Sequence, residues 1–143
     1  MQGKIGGYPN SKGGTAEYLM VQSHGMTAGK GYLVGPGFIT EAIPDSEMGI
    51  VCVALDDSAS GDIVVVQIRG ACSAWLDSTA APTVGNSVMA DNSLGLLKDG
   101  GGAATNNPGS TGDDEVGFVL EAGSGGSADS VIFLYGLPVT TVS

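Results

Sequence analysis

The chain has 143 residues, 42% of them hydrophobic and 14% charged, with a formal net charge of −10 from 15 acidic and 5 basic residues. That length suits one domain able to bury most of its unfolded surface, and the hydrophobic share excludes the sparse, highly charged composition of disordered chains. The cations Lys4, Lys12, Lys30, Arg69 and Lys98 are scattered. Without the basic patch that phosphate binding requires, the expected partners are proteins, with no nucleic acid and no membrane.

Residues 1–14 (MQGKIGGYPNSKGG) are polar and Gly-rich. They are expected to form a flexible N-terminal arm ahead of a single β domain over residues 15–143. The start lacks the apolar core of a secretory signal, and no later run approaches the roughly 20 apolar residues of a membrane-spanning helix. A soluble, unprocessed chain follows as the expectation.

Beyond the arm, the 25 glycines and 6 prolines interrupt the chain too often for long helices, because a helix interior loses about 1 kcal/mol per Gly and about 3 per Pro. Strands need only five or six residues between turns. Short runs rich in Val, Ile, Leu and aromatic residues predict strands at Glu17 to Gln22, Tyr32 to Val34, Gly49 to Leu55, Asp62 to Arg69 and Ala71 to Leu76. Further strands are expected at Ser87 to Ala90, Leu94 to Leu97, Val116 to Glu121 and Ser130 to Tyr135. The continuous start of IVVVQIR marks a strand covered on both faces or one whose outer face meets a partner.

The polar turns Asp56 to Gly61 and Gly123 to Asp129 predict antiparallel hairpins. The Gly-rich stretch Asp99 to Glu115 reads as a mobile surface loop, and any helix as a turn or two near Asp77 to Ala81. The hairpin Gly49 to Gly70 resembles Gly117 to Gly136, and Gly31 to Leu33 compares with Gly85 to Met89. Either chance or a duplication yielding a barrel of two similar halves would explain this.

Chemistry finds little support. The only histidine, His24, neighbours Ser23, and adjacent residues on an extended segment point to opposite faces, so His24 reads as a surface or turn residue and not as a base. Cys52 and Cys72 read as buried small hydrophobes, with a disulfide as the alternative, and neither stands beside a cation that would activate it. Asp56, Asp57, Asp113, Asp114 and Glu115 lie in open Gly- and Ser-rich turns, which suit neither an enclosed glycosidase pair nor, beyond a partial match, a calcium loop. The glycine clusters lack the Lys and Ser/Thr of a phosphate loop. Trp75 reads as a core residue. No catalytic residue, metal or cofactor is expected, and the chain does not read as an enzyme.

Four phrases carry a resemblance: TAGKGYLVG near residue 30, VVVQIRG near 65, VGNSVMAD near 87 and VGFVLEAGSG near 120. Over Thr27 to Tyr135 the chain resembles a bacteriophage capsid cement, or head decoration, protein. The resemblance implies a small antiparallel β-barrel or β-tulip with Gly-rich loops and little helix. It also implies a virion protein that binds the outer surface of the major capsid protein lattice, stabilises the phage head, commonly forms a homotrimer and is assembled in the host cytoplasm. The arm through Gly14 and the stretch Asp99 to Glu115 depart from the pattern. Capsid contacts are expected at Ile5 and Tyr8 in the arm, which would add backbone to an exposed sheet edge, and at Tyr18. The competing reading is a surface adhesion or glycan-binding β module using Tyr8, Tyr18 and Tyr32.

Overall fold

The computed structural model describes residues 16–43, 48–77, 82–91, 96–104, 115–124, 128–136 and 139–140. Its strands are β1 (Glu17–Gln22), β2 (Gly31–Val34), β3 (Thr40–Glu41), β4 (Met48–Ala54) and β5 (Ile63–Ala74), followed by β6 (Asn86–Asp91), β7 (Leu96–Ala103), β8 (Glu115–Glu121), β9 (Ser130–Leu134) and β10 (Val139–Thr140). They form one strongly curled, antiparallel half-barrel sheet in the order β3-β2-β4-β5-β9-β8-β6-β7, with β1 added to β5 and β10 to β4. The all-β class and the antiparallel pairing of both expected hairpins hold.

The strand order conceals a repeat. The order β3-β2-β4-β5-β1 recurs as β7-β6-β8-β9-β5, so the long strand β5 closes the first five-stranded unit and opens the second. Register repeats as well as order. Each unit's second strand is entered by a tight turn, Thr27 to Lys30 or Thr83 to Asn86, in which the fourth N–H donates to the first carbonyl at 3.1 and 3.0 Å. The third residue of each turn, Gly29 or Gly85, has φ 84° or 87°, the positive value that this turn demands and that a side chain opposes.

Counted from those glycines, Gly31 faces Val53 as Ser87 faces Phe118, and Leu33 faces Glu41 as Met89 faces Lys98. Val53 faces Gln67 as Phe118 faces Phe133, and Tyr18 faces Gln67 as Ala71 faces Phe133. In both units a single parallel bridge, Gln22 to Ile39 or Leu76 to Leu97, brings the first strand or its end beside the third. Of chance and duplication, the two explanations open for the hairpins, the repeated order and register favour duplication. Its alignment differs from the sequence reading, for register pairs Gly117 with Cys52 and not with Gly49, because glycines that open strands need not occupy the same rung.

Side-chain alternation assigns the cores. Tyr32 and Val34 of β2, Cys52 and Ala54 of β4, Val21 and Val66 form the interior of the first unit. Their neighbours Leu33, Val51 and Val53 point the other way and pack with Cys72, Ala74, Leu76, Val88, Leu97, Val119, Ile132 and Leu134, the interior of the second. The concave face of the second unit thus covers part of the convex face of the first. This explains why all four residues of β2 are buried.

Several expectations need correction. The separate strands Asp62 to Arg69 and Ala71 to Leu76 are one strand, since Gly70 (φ 97°) kinks β5 without ending it. The Gln67 amide donates to the carbonyls of Arg69 (3.0 Å) and Ala71 (2.9 Å) on either side of that kink. The strand expected at Leu94 to Leu97 begins at Leu96 and runs to Ala103, into the stretch taken for a loop. Backbone pairing with β6 does not depend on side chains, and a Cβ on Gly100 would lie 2.3 Å from Ser87 Oγ, so glycine permits the close approach. Residues 105–114 lie outside the described residues, as do 78–81, where a helical turn was expected. The helical turn among the described residues is the 3-10 turn Pro36–Phe38. The two-residue strands β3 and β10 were not anticipated. The arm at residues 1–14 falls outside the described residues.

Candidate functional site

The convex face of the first unit is only partly covered by the second. On its β1–β5 ladder, alternation turns Leu19, Val21, Val64 and Val66 inward and Tyr18, Met20, Ile63 and Val65 outward. The outward residues are exposed by 54%, 66%, 66% and 45% respectively. Met20 lies directly opposite Val65, so these side chains form one contiguous apolar surface. Gln67, next along the same row, is buried.

Nothing in the architecture requires apolar residues there. The corresponding outward positions of the second unit are Ala71, Ser73 and Val131, and of these Ala71 and Ser73 are exposed and Val131 half-buried. In the same register, Tyr18 and Met20 are replaced there by the smaller Ala71 and Ser73, while Val131 stands where Val65 does. Continuity of the run in β5 and of Tyr-Leu-Met-Val in β1 is what the sequence offered as a signal. IVVVQIR is not covered on both faces, since Ile63 and Val65 are exposed on its outer side.

Tyr18 therefore stands in the surface where a contact was expected, while Ile5 and Tyr8 lie outside the described residues. Tyr32 does not join it. Its ring is buried beside His24 at 5.3 Å, and its hydroxyl accepts the Thr27 N–H at 2.8 Å, which removes one of the three aromatics on which a glycan platform was drawn. His24 sits half-buried in a bend, with Nδ1 2.7 Å from Thr40 Oγ1.

The other candidate groups are engaged structurally. Cys52 and Cys72 are free and lie in different cores, which overturns the disulfide alternative. Burial pushes both thiols up to about 12. Asp57 accepts the Ala28 N–H at 2.8 Å, and Asp99 accepts the Thr83 N–H at 2.8 Å, so a carboxylate anchors each of the equivalent turns. Glu115 is fully buried and accepts the Tyr135 hydroxyl. It is therefore not in an open turn as expected, because it begins strand β8. Among the described residues no cluster of His, Cys, Asp or Glu could hold a metal ion. Lys30 Nζ lies 4.6 Å from the centre of the half-buried Trp75 ring, and Arg69 donates to the Tyr135 carbonyl at 2.9 Å while covering Phe133. Both cations are engaged in the fold, and the apolar face is bordered by Asp62 at one end and by Glu17 opposite Arg69 at the other.

No curated protein matches the chain. A family model described as phage cement protein matches residues 11–134, which include both five-stranded units, and the chain belongs to the phage cement protein family.

Proposed function

We propose that this protein binds the outer surface of the major capsid protein lattice and stabilises the phage head, with Tyr18, Met20, Ile63 and Val65 as the contact. The observation that carries the reading is the difference between equivalent rows of the two units. Exposed apolar surface opposes solubility, and burying it contributes about 25 cal/mol for each Å² removed from water. A row kept apolar in one unit and built otherwise in its counterpart fits a surface that is covered in the working assembly. The net charge of −10 suits the outside of a head better than the inside, where packaged DNA would repel it.

Ile5 and Tyr8 supply a second contact in this reading, and the bound form is a homotrimer assembled on the head in the host cytoplasm. Capsids prepared without the protein provide the test. Adding it is expected to raise the temperature and the osmotic shock at which they fail. Met20→Lys is expected to bind at least tenfold more weakly, whereas Ser73→Lys, at the equivalent outward position, binds as the parent does. Capsids no more robust with the protein than without it would remove the cement role. Unimpaired binding after deletion of residues 1–14 would remove the arm contact, and a monomer mass on the capsid would remove the trimer.

A further inference from the structure

The apolar face ends at a strand edge, and that edge specifies more than the face does. Among the described residues β1 is paired along one side by β5, while its other side has backbone pairing only at the bridge from Gln22 to Ile39 and lies near the Pro36–Phe38 turn. Exposed edges usually carry a protecting device such as lysine, proline, glycine or extreme shortness. Here β3 has two residues, and β7 contains Lys98, Asp99 and three glycines. EYLMVQ has none of these devices and carries one charge, at Glu17.

We infer that the edge of β1 from Glu17 to Val21 receives an extended segment of the capsid subunit as an added strand. This rests on the capsid-binding reading and names its mode. Alternate side chains of such a strand would meet two apolar surfaces. One set lies beside Tyr18 and Met20. The other enters the groove lined by Leu19, Pro36, Phe38 and Ile50. Phe38 in that groove is 60% exposed and held at φ 59°, a conformation that a bulky non-glycine residue adopts only under strain. The bridge at Ile39 occupies the last rung at Gln22, which leaves the preceding five residues for the incoming strand.

Charge selects the occupant. Asp62 stands beyond one end of the ladder and Glu17, opposite Arg69, at the other, on a chain whose net charge is −10. The segment is therefore a capsid strand with apolar residues at alternate positions and lysine or arginine in place of acids, joined through its backbone.

Proline removes one backbone N–H, and Leu19→Ala and Met20→Ala, which lose the same side chains but keep the N–H, separate the edge from the face. In the full-length chain, Leu19→Pro and Met20→Pro place proline at consecutive rungs, one of which directs its N–H away from β5. That variant is expected to melt at about the temperature of its alanine counterpart and to bind capsids at least tenfold more weakly than that counterpart. Hydrogen exchange is expected to slow at least tenfold over Glu17 to Val21 when the unaltered protein binds capsids. Binding by the folded proline variant equal to that of its alanine counterpart would overturn the inference. So would β1 amides that exchange as slowly in the free protein as those of β5, since the edge would then already be occupied by the chain itself or by a second copy. Loss of binding in Met20→Lys alongside binding by the folded proline variant equal to its counterpart's would leave the capsid reading standing and remove the added strand. Failure of the unaltered protein to bind capsids would remove both.

Discussion

The two five-stranded units share strand order, turn chemistry and cross-strand register, yet they differ in what surrounds them. The second unit lays its concave face over Leu33, Val51 and Val53 of the first, while the first keeps its own interior around Tyr32, Cys52 and Val66. On the opposite, outward side of the β1–β5 ladder the first unit carries Tyr18 and Met20 beside Val65, where the second has Ala71 and Ser73 beside Val131 at the matching rungs. Where one architecture occurs twice in one chain, whatever differs between the copies is not demanded by the architecture. The apolar row is such a difference.

The comparison breaks most severely at the surface joining the units. Leu33 is fully buried on the face of β2 that fills the second unit's interior, so Leu33→Ala is expected to destabilise the whole chain by about 3 kcal/mol. Denaturant melts followed by Trp75 fluorescence and by far-ultraviolet dichroism should shift together; separate transitions would mean that the units fold independently. Next in size is the kink where β5 passes from one unit to the other. Gln67→Leu keeps the bulk but leaves the Arg69 and Ala71 carbonyls without the amide, at a cost of about 2 kcal/mol. An unchanged melt would show that those carbonyls find other donors.

A smaller effect sharpens the contrast between the outward rows. Giving the first unit the second unit's small side chains, through Tyr18→Ala and Met20→Ser, removes exposed surface and should change stability by no more than about 0.5 kcal/mol per substitution. Capsid binding should nevertheless be lost. If stability falls by several kcal/mol instead, the row serves the fold, and the inequality between the units says nothing about a partner.

Much of the fold was legible because strand signals are local. EYLMVQ and SVIFL carry apolar runs bounded by polar or glycine punctuation, and the observed strands lie within a residue or two of those runs. What escaped depends on contacts distant in sequence. Gly70 looks like a terminator in the sequence and is a kink only because Gln67 satisfies the adjoining carbonyls. KDGGG has no strand-forming side chains and pairs because β6 lies beside it. Tyr18 and Tyr32 have the same chemistry, yet Tyr18 is exposed and Tyr32 is buried. Only the fold distinguishes them, since alternation gives the face without saying which face a second unit will cover.

The smallest expected difference between the units is in how they open. Each interior holds one thiol, Cys52 in the first and Cys72 in the second, and burial raises both to about 12 from an ordinary value of 9.0. At pH 8 neither should react with iodoacetamide until its core opens, because the thiolate is the nucleophile. Because Leu33, Val51 and Val53 belong to the first unit's strands and the second unit's core, opening one core should open the other. The two labelling rates in mild denaturant are then expected to agree within about twofold. Above pH 9 the unfolded chain loses thiol protons that the folded chain retains. Stability should therefore fall as pH rises from 9 towards 12, and fall less steeply in Cys52→Ala or Cys72→Ala than in the parent. A tenfold faster reaction at Cys72, read by mass spectrometry of the labelled peptides, would mean that the second unit opens alone. The shared face would then be a weaker joint than the common core implies.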